Sequence, residues 1–309
     1  MLSIVIETEN EAQHNIVRLD DTIRALKAQT LPLERCEVLV MVRQSEAHVA
    51  EPIRQALPEA KITLLPDPVG YGQMKLHGAR LSRYPIVAFL DSDCIPTRDW
   101  TAHILEEFRT APEDVAVLQG RTKCLDAPGA GFFTMRFFGS PWKYAEESDW
   151  IVLNNFAMRT SMMEQYPFAN VPVRQGAEYP TVKGLLRDGK KIRIVPQMLI
   201  THNYAPGLWS WFVQGQSEAF DYAEMVVKVM ALSTPAAIIT WRTKFYRMCW
   251  TFLWRTIDDL RLALRLRRRF GFHRESPVAC VMAAVAYWTG GVVGFANWKR
   301  GKTRPEALF

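Results

Sequence analysis

Two carboxylates spaced i, i+2 close the apolar run Ile86–Leu90 of this 309-residue chain: Asp91-Ser92-Asp93. If the chain turns there, both side chains can face one pocket. Oxygen ligands suit a hard divalent cation, which accepts substrate phosphates as further ligands. A diphosphate leaving group carries charge that such a cation neutralises, so an acidic pair at a strand end has a chemical use. The same three residues also fit a solvated turn. Two neighbours weigh for the site: the preceding strand is apolar throughout and so of buried type, and the turn runs on into Cys94-Ile95-Pro96 and a new helix.

The elements that must hold this turn are legible from periodicity. Leu2–Ile6 is a short apolar run, read as a buried strand, and a helix follows with Ile16, Leu19, Ile23 and Leu26 on one face. Glu37–Met41 and Ile62–Leu65 read as the next strands, and a helix is predicted over about Gln73–Leu81. Ile86–Leu90 is a fourth strand, followed by a helix with Trp100, Ile104 and Phe108 spaced by four, and Val115–Leu118 is again strand-like. This βαβαβ order predicts an α/β fold with a doubly wound, mostly parallel sheet. Ligands of such sheets sit at the carboxyl ends of strands, and Asp91 lies at one. Residues 127–150 are rich in Gly, Pro and aromatics without clear periodicity, while Leu153–Met158, Val182–Leu186 and Ile192–Ile200 resume strand, helix and strand character.

Three stretches together carry a resemblance: Gly70-Tyr-Gly-Gln-Met-Lys-Leu-His-Gly-Ala-Arg80, Ile86-Val-Ala-Phe-Leu-Asp-Ser-Asp-Cys-Ile-Pro96, and Asp99-Trp100. They resemble the family 2 inverting glycosyltransferases of GT-A fold, over about residues 2 to 204, with Ile86–Asp93 the most specific part. The resemblance implies a nucleotide-diphosphate sugar as donor, with Asp91 at the nucleoside or ribose, Ser92 within the same motif, and Asp93 on the metal, Mn²⁺ or Mg²⁺. The opening Ser3-Ile-Val-Ile-Glu-Thr-Glu-Asn10 is similar to the family's first-strand motif, which places Glu7, Thr8 and Glu9 at the nucleotide sugar. Gly176-Ala177-Glu178 matches a later family motif, and Glu178 then stands where the family has its general base. Proton removal from the attacking hydroxyl needs such a carboxylate, supplied by a separate segment of the chain. Glu178 equally fits a surface glutamate before Pro180. His202, after the last strand, matches a metal-binding histidine of some family members, and it equally suits a structural histidine.

The chain also departs from that pattern. Met41-Val42-Arg43-Gln44 replaces the Asp-Asp pair that reads uracil in the family, which leaves the donor base open. Glu7 and Glu9 can supply the missing carboxylate from the neighbouring strand, or can be strand-end charges facing solvent. Lys75 stands where an Arg near the diphosphate is usual, and a lysine serves there as a point charge rather than a planar fork. Gly139-Ser-Pro-Trp-Lys-Tyr144 and Asp149-Trp150 fall where acceptor loops would lie, although aromatic rings fill cores as readily as they face sugars.

Charge divides the chain. The first 240 residues carry 24 basic and 28 acidic side chains, whereas Trp241 to the end carries 14 and 4, a net of +10. The basic stretch is rich in Trp and Phe, Arg261, Arg265, Arg268 and Arg269 recur near helical spacing, and the 23 residues Ser276–Trp298 beside it hold no charge. Nucleic acid would explain the charge but not the apolar run; a membrane surface explains both. Ser276–Trp298 is long enough to span a bilayer, yet it contains Gly290, Gly291 and Gly294 and has basic residues at both ends, which favours a shallow or re-entrant helix. Five widely spaced cysteines without a C-x-x-C pair argue against a disulfide framework and fit a reducing compartment.

The expected organisation is therefore a GT-A catalytic domain over 1–205 and a helical, basic, membrane-associated region over 206–309. The expected activity is metal-dependent transfer of a hexosyl-type sugar to a lipid-linked or cell-surface glycan, at the cytoplasmic face of the membrane and without a nucleic-acid partner. Two other readings stand beside it. A nucleotidyltransferase shares the sheet and the acids but wants a glycine- and lysine-rich loop after the first strand, which Glu7-Thr8-Glu9-Asn10 is not. A non-catalytic scaffold of the same fold would account for the lost Asp pair, and Asp91, Asp93 and Glu178 speak against it.

Overall fold

The computed structural model describes residues 1–8, 19–124, 146–171, 173, 176–203, 208–229, 241–270 and 276–299. The strands are β1 (Leu2–Glu7), β2 (Cys36–Arg43), β3 (Lys61–Leu65), β4 (Ile86–Asp91), β5 (Cys94–Pro96), β6 (Val115–Cys124), β7 (Glu147–Ser148), β8 (Asn155–Arg159) and β9 (Lys191–His202). The α-helices are α1 (Leu19–Lys27), α2 (Ala50–Ala56), α3 (Tyr71–Leu81), α4 (Trp100–Thr110), α5 (Thr160–Gln165), α6 (Tyr179–Arg187), α7 (Leu208–Lys228), α8 (Trp241–Phe270) and α9 (Ser276–Lys299).

These strands form one sheet in the order β3-β2-β1-β4-β8-β6-β9-β5, with β7 paired to β9. β1 is buried along its whole length, polar Ser3 and Glu7 included. It runs parallel to β2 and β4, and β2 runs parallel to β3. Beyond β4 the sheet changes character: β8 is antiparallel to β4 and to β6, while β5 and β7 are antiparallel to β9. The expected mostly parallel sheet is thus parallel only through its first four strands, and the fold is a mixed α/β sheet. Chain order β1-β2-β3 proceeds outward on one side and β4 returns to the other side of β1, so the topological switch point lies between β1 and β4. Glu7 and Asp91, the last residues of those strands, face each other in register there.

The chain divides into two compact units. The first comprises 1–123, 138–172 and 178–204; the second comprises 124–137, 173–177 and 205–309. In the first, Leu2, Ile4 and Ile6 of β1, Val38, Val40 and Val42 of β2, and Ile23, Leu26, Trp100 and Ile104 of the helices share one core. Phe89 and Phe156 sit opposite each other in the β4–β8 ladder with rings stacked at 4.3 Å. Fully buried Asn155 accepts from the Trp100 indole at 2.9 Å and donates to the Met198 carbonyl at 2.7 Å, which ties α4 and β9 to β8. A buried amide so satisfied specifies one packing, because a shift would leave polar atoms unpaired.

The second unit is helical. Ala219, Ala223, Met248, Phe252, Tyr287 and Phe295 form its core. The glycines of Ser276–Trp298 have a packing purpose there: a Cβ on Gly290 would lie 2.2 Å from the Gln216 carbonyl oxygen, and one on Gly294 would lie 2.9 Å from the Phe220 Cα. They let the backbones of α7 and α9 approach closely. Among the described residues, no helix is long and apolar enough to cross a membrane.

Candidate active site

The Asp91-Ser92-Asp93 turn leaves the sheet centre at β4 and delivers the chain to β5 at the other end of the strand order. It is fastened from two sides. On α1, the buried Thr22 hydroxyl lies 2.7 Å from the Ser92 carbonyl and 3.0 Å from that of Cys94, and just past its end the Gln29 side-chain amide donates to the Thr97 carbonyl at 2.8 Å. From the end of β9, the Asn203 amide donates to the Asp93 carbonyl at 2.7 Å. Asp91, Ser92 and Asp93 are all buried, which removes the solvated-turn alternative.

Asp91 is held by α3. Tyr71 and Lys75, one helical turn apart, face it together. The Tyr71 phenol lies 2.7 and 2.8 Å from the two Asp91 oxygens, and the Lys75 ammonium lies 2.7 Å from Oδ1. Lys75 has no exposed surface, and its ammonium is turned onto Asp91. Burial, then the negative charges of Asp91 and Glu7, push the Tyr71 phenol well above its ordinary value and keep it a proton donor. Glu7 is completely buried beside this group, which removes its solvent-facing alternative. Thr8, also buried, reaches toward the end of β2, with its hydroxyl 3.3 Å from the Met41 carbonyl and 3.5 Å from Glu46. Arg43 lies 3.4 Å from Glu46, so a buried carboxylate and a guanidinium occupy the strand end where the sequence lacks an Asp pair. Glu9 and Gly139–Tyr144 lie outside the described residues.

Asp93 is held by strand pairing. β5 and β9 align Cys94 opposite His202, and this brings the imidazole Nε2 to 3.5 Å from Asp93 Oδ2. The Cys94 thiol lies 3.7 Å from Asp93 Oδ1. One ligand atom from each of Asp93, Cys94 and His202 lies within 4.8 Å of the others, a spacing that fits a cation among them. Burial first, and then the charges of Asp93 and Asp91, raise the Cys94 thiol well above its ordinary value. A carboxylate oxygen and an imidazole nitrogen are donors that Mn²⁺ accepts, and Mg²⁺ favours the carboxylate oxygen.

Glu178 comes from a separate segment, as a general base should. It is the N-cap of α6 and is buried, so the surface-glutamate alternative is excluded. Its entry is shaped by Gly176, whose φ of +81° favours glycine. The Tyr179 ring next to it lies 6.2 Å from that of Trp150, which brings the Asp149-Trp150 segment beside the start of α6. Sequence reasoning missed Tyr71 and Cys94. The i, i+4 spacing of Tyr71 and Lys75 was a usable signal, whereas the Cys94–His202 pairing had none, because a three-residue strand carries no register information.

The model of the family described as Glycosyl transferase family 2 matches residues 3–161. No curated protein matches the chain. Among solved structures, the chain is similar to the mannosyltransferase PcManGT from Pyrobaculum calidifontis in complex with GDP-Man and Mn²⁺, at 15% identity and a TM-score of 0.55, covering 97% of this chain and 79% of that one. It is also similar to glucosyl-3-phosphoglycerate synthase from Mycobacterium tuberculosis in complex with Mn²⁺, uridine diphosphate and glucosyl-3-phosphoglycerate, at 17% identity and a TM-score of 0.50, covering 76% and 81%. At these identities the likeness speaks for the fold, which is GT-A.

Proposed function

The chain belongs to glycosyl transferase family 2, and from that premise we propose that it moves a hexosyl group, with inversion, from a nucleotide-diphosphate sugar to a hydroxyl of a lipid-linked or cell-surface glycan. The observation that carries this reading is the buried turn at the β1–β4 switch point, where Asp91 and Asp93 are held apart by different partners. That separation suits two tasks. Asp91, steadied by Lys75 and Tyr71, accepts hydrogen bonds from the donor's ribose, with Glu7 and Thr8 alongside. Asp93 and His202 would hold Mn²⁺ or Mg²⁺, with Ser92 between the two acids. A bound cation supplies charge neutralisation for the departing diphosphate.

Glu178 takes the acceptor's hydroxyl proton as that oxygen forms its bond to the anomeric carbon. The bond from that carbon to the diphosphate oxygen breaks on the opposite face, and the electron pair leaves with the nucleoside diphosphate. Attack and departure on opposite faces invert the anomeric centre. Trp150 and Tyr179, beside Glu178, suit the apolar face of an acceptor sugar. The buried Asp91, Asp93 and Glu178 weigh against a scaffold without chemistry, and family membership weighs against a nucleotidyltransferase.

The membrane part of the reading rests on surface composition. Among the described residues, eleven of the fifteen large apolar side chains that are exposed belong to the helical unit, from Trp209 to Val293. The same region carries the net +10 from Trp241 onward. A positively charged surface that leaves Trp and Leu open suits the interface of an anionic leaflet, here the cytoplasmic face, and no nucleic acid is needed to explain it. Incubating the protein with nucleoside-diphosphate sugars and Mn²⁺ tests the chemistry: one of them should release nucleoside diphosphate, and an acceptor product should carry the opposite anomeric configuration by ¹H NMR. Equal release in excess chelator, or a product with retained configuration, would overturn the mechanism.

A further inference from the structure

The helical unit holds an apolar groove that the proposed chemistry does not use. It lies between α8 and α9, is lined by Tyr246, Cys249, Trp250, Leu253 and Trp288, and has a volume of about 530 Å³. That falls within the ~300–1,000 Å³ of sites that take small organic ligands. Four of the five residues recur on α8 at i, i+3, i+4 and i+7, which is one face of a helix. The fifth, Trp288, is fixed by its neighbours: its ring meets that of buried Phe252 edge-on at 5.7 Å, and Phe252 meets Tyr287 edge-on at 5.8 Å. The α9 wall of the groove is therefore held in place by the core beneath it.

Its walls are open in a way that a water-facing helix avoids. Trp250 is 61% exposed and packs edge-on against Trp254 at 5.6 Å, while Leu253, Trp254 and Leu260 stay exposed along the same helix. On α9, Val281, Val285 and Val292 continue an exposed apolar stripe at i, i+4 and i+11. Contiguous apolar surface of this kind marks an interaction site. Charge selects the partner. α8 carries nine Lys and Arg against two Asp. A second copy of this chain would bring the same positive helix against itself, whereas a ligand with an apolar chain and an anionic head satisfies both features.

We infer that this groove is a binding site for the hydrocarbon chain of a phosphate-headed lipid, which lies between Trp250 and Trp288. The inference rests on the membrane-surface reading above and makes it specific, because it assigns one chain to one groove rather than a helix to a surface.

The test uses the full chain and dodecyl phosphate below its critical micelle concentration, titrated calorimetrically, with a chain-brominated form to quench tryptophan fluorescence. Saturable binding with quenching is expected, and Cys249→Phe, which fills the groove, should weaken it at least tenfold while the far-UV circular dichroism spectrum stays native. Trp250→Ser, at an exposed position, should do the same by opening the wall. Inorganic phosphate alone should neither quench nor compete. Non-saturating binding, equal binding by Cys249→Phe, or a concentration-dependent dimer that Cys249→Phe abolishes would each overturn the groove assignment. Phosphatidylglycerol vesicles separate the two levels: vesicle binding without a saturable single-chain site overturns the groove and leaves the membrane reading standing, and a chain site without vesicle binding overturns the membrane reading alone.

Discussion

Lys75→Met puts the architecture beneath Asp91 to a quantitative test. The lysine side chain is 0% exposed and that of Asp91 is 6% exposed, and they meet at 2.7 Å. Removing the ammonium leaves a carboxylate in a dry site, and breaking one side of a buried pair costs about 3–5 kcal/mol. Asp91 keeps the Tyr71 phenol as a donor, so the lower figure, about 3 kcal/mol, is the expected loss. In a chain of this size that lowers the melting temperature by roughly 6–12 °C. The double variant Lys75→Met/Asp91→Asn removes both charges and should recover most of the loss, because no unpaired charge remains buried. Urea unfolding followed by circular dichroism on the four proteins gives the coupling energy, expected at about 2 kcal/mol or more. A single-variant loss below about 1 kcal/mol, or a double variant as unstable as the sum of the two singles, would refute the idea that Lys75 exists to hold Asp91.

Other consequences can be measured independently. Glu178→Gln keeps the shape but removes the base, so kcat should fall by roughly 10²–10⁴ with donor affinity retained; an unchanged kcat ends that role. Asp93→Ala should abolish Mn²⁺-dependent turnover while the circular dichroism spectrum stays native, and turnover that survives both the substitution and chelator would contradict the metal assignment. Burial works to raise the Glu37 carboxyl, but bonds from the Arg83 amide, Lys61 and Ser3 outweigh it and bring the value from 4.5 down to about 2. A depressed carboxyl stabilises the fold above about pH 4.5 and loses that contribution as pH falls toward 2; the acid limb of stability should therefore be shallower in Glu37→Gln than in the wild type, and equal slopes would exclude the network. Removing residues after Thr240 should release the protein from anionic liposomes, and salt should weaken full-length binding only in part, since apolar insertion is not screened; a full-length protein that ignores liposomes at low salt removes the membrane reading.

The strands that build the switch point were legible because their spelling is unambiguous. Ile86–Leu90 is apolar throughout and Leu2–Ile6 is broken only by Ser3, and that predicts burial on both faces. The position of Asp91 at a carboxyl-terminal strand end followed directly. The direction of β6 and β8 was not legible, because a short apolar run such as Val115–Leu118 looks the same whether its neighbour runs parallel or antiparallel. The partners of the two aspartates divide in the same way. Lys75 and Tyr71 share a helix face that spacing reveals, but their target lies across a strand and a loop. His202 reaches Asp93 only through the β5–β9 register, and β5 is too short to advertise it. The glycines of Ser276–Trp298, read as weakening an apolar span, are contact points between α7 and α9, a purpose visible only once the partner helix is in place.

We propose that Asp93 and His202 serve a metal-bound nucleotide-diphosphate sugar. The most direct test is the melting temperature of the full chain with a panel of nucleoside-diphosphate sugars, with Mn²⁺ or with chelator. A donor at about one hundred times its Kd stabilises the native state by ~2.7 kcal/mol, which is roughly 5–10 °C here. At least one donor should produce that shift with Mn²⁺, lose it in chelator, and lose it in Asp93→Ala. If no member of the panel shifts the wild type with Mn²⁺, or if the shift is the same in chelator and in Asp93→Ala, Asp93 and His202 do not hold the donor's metal.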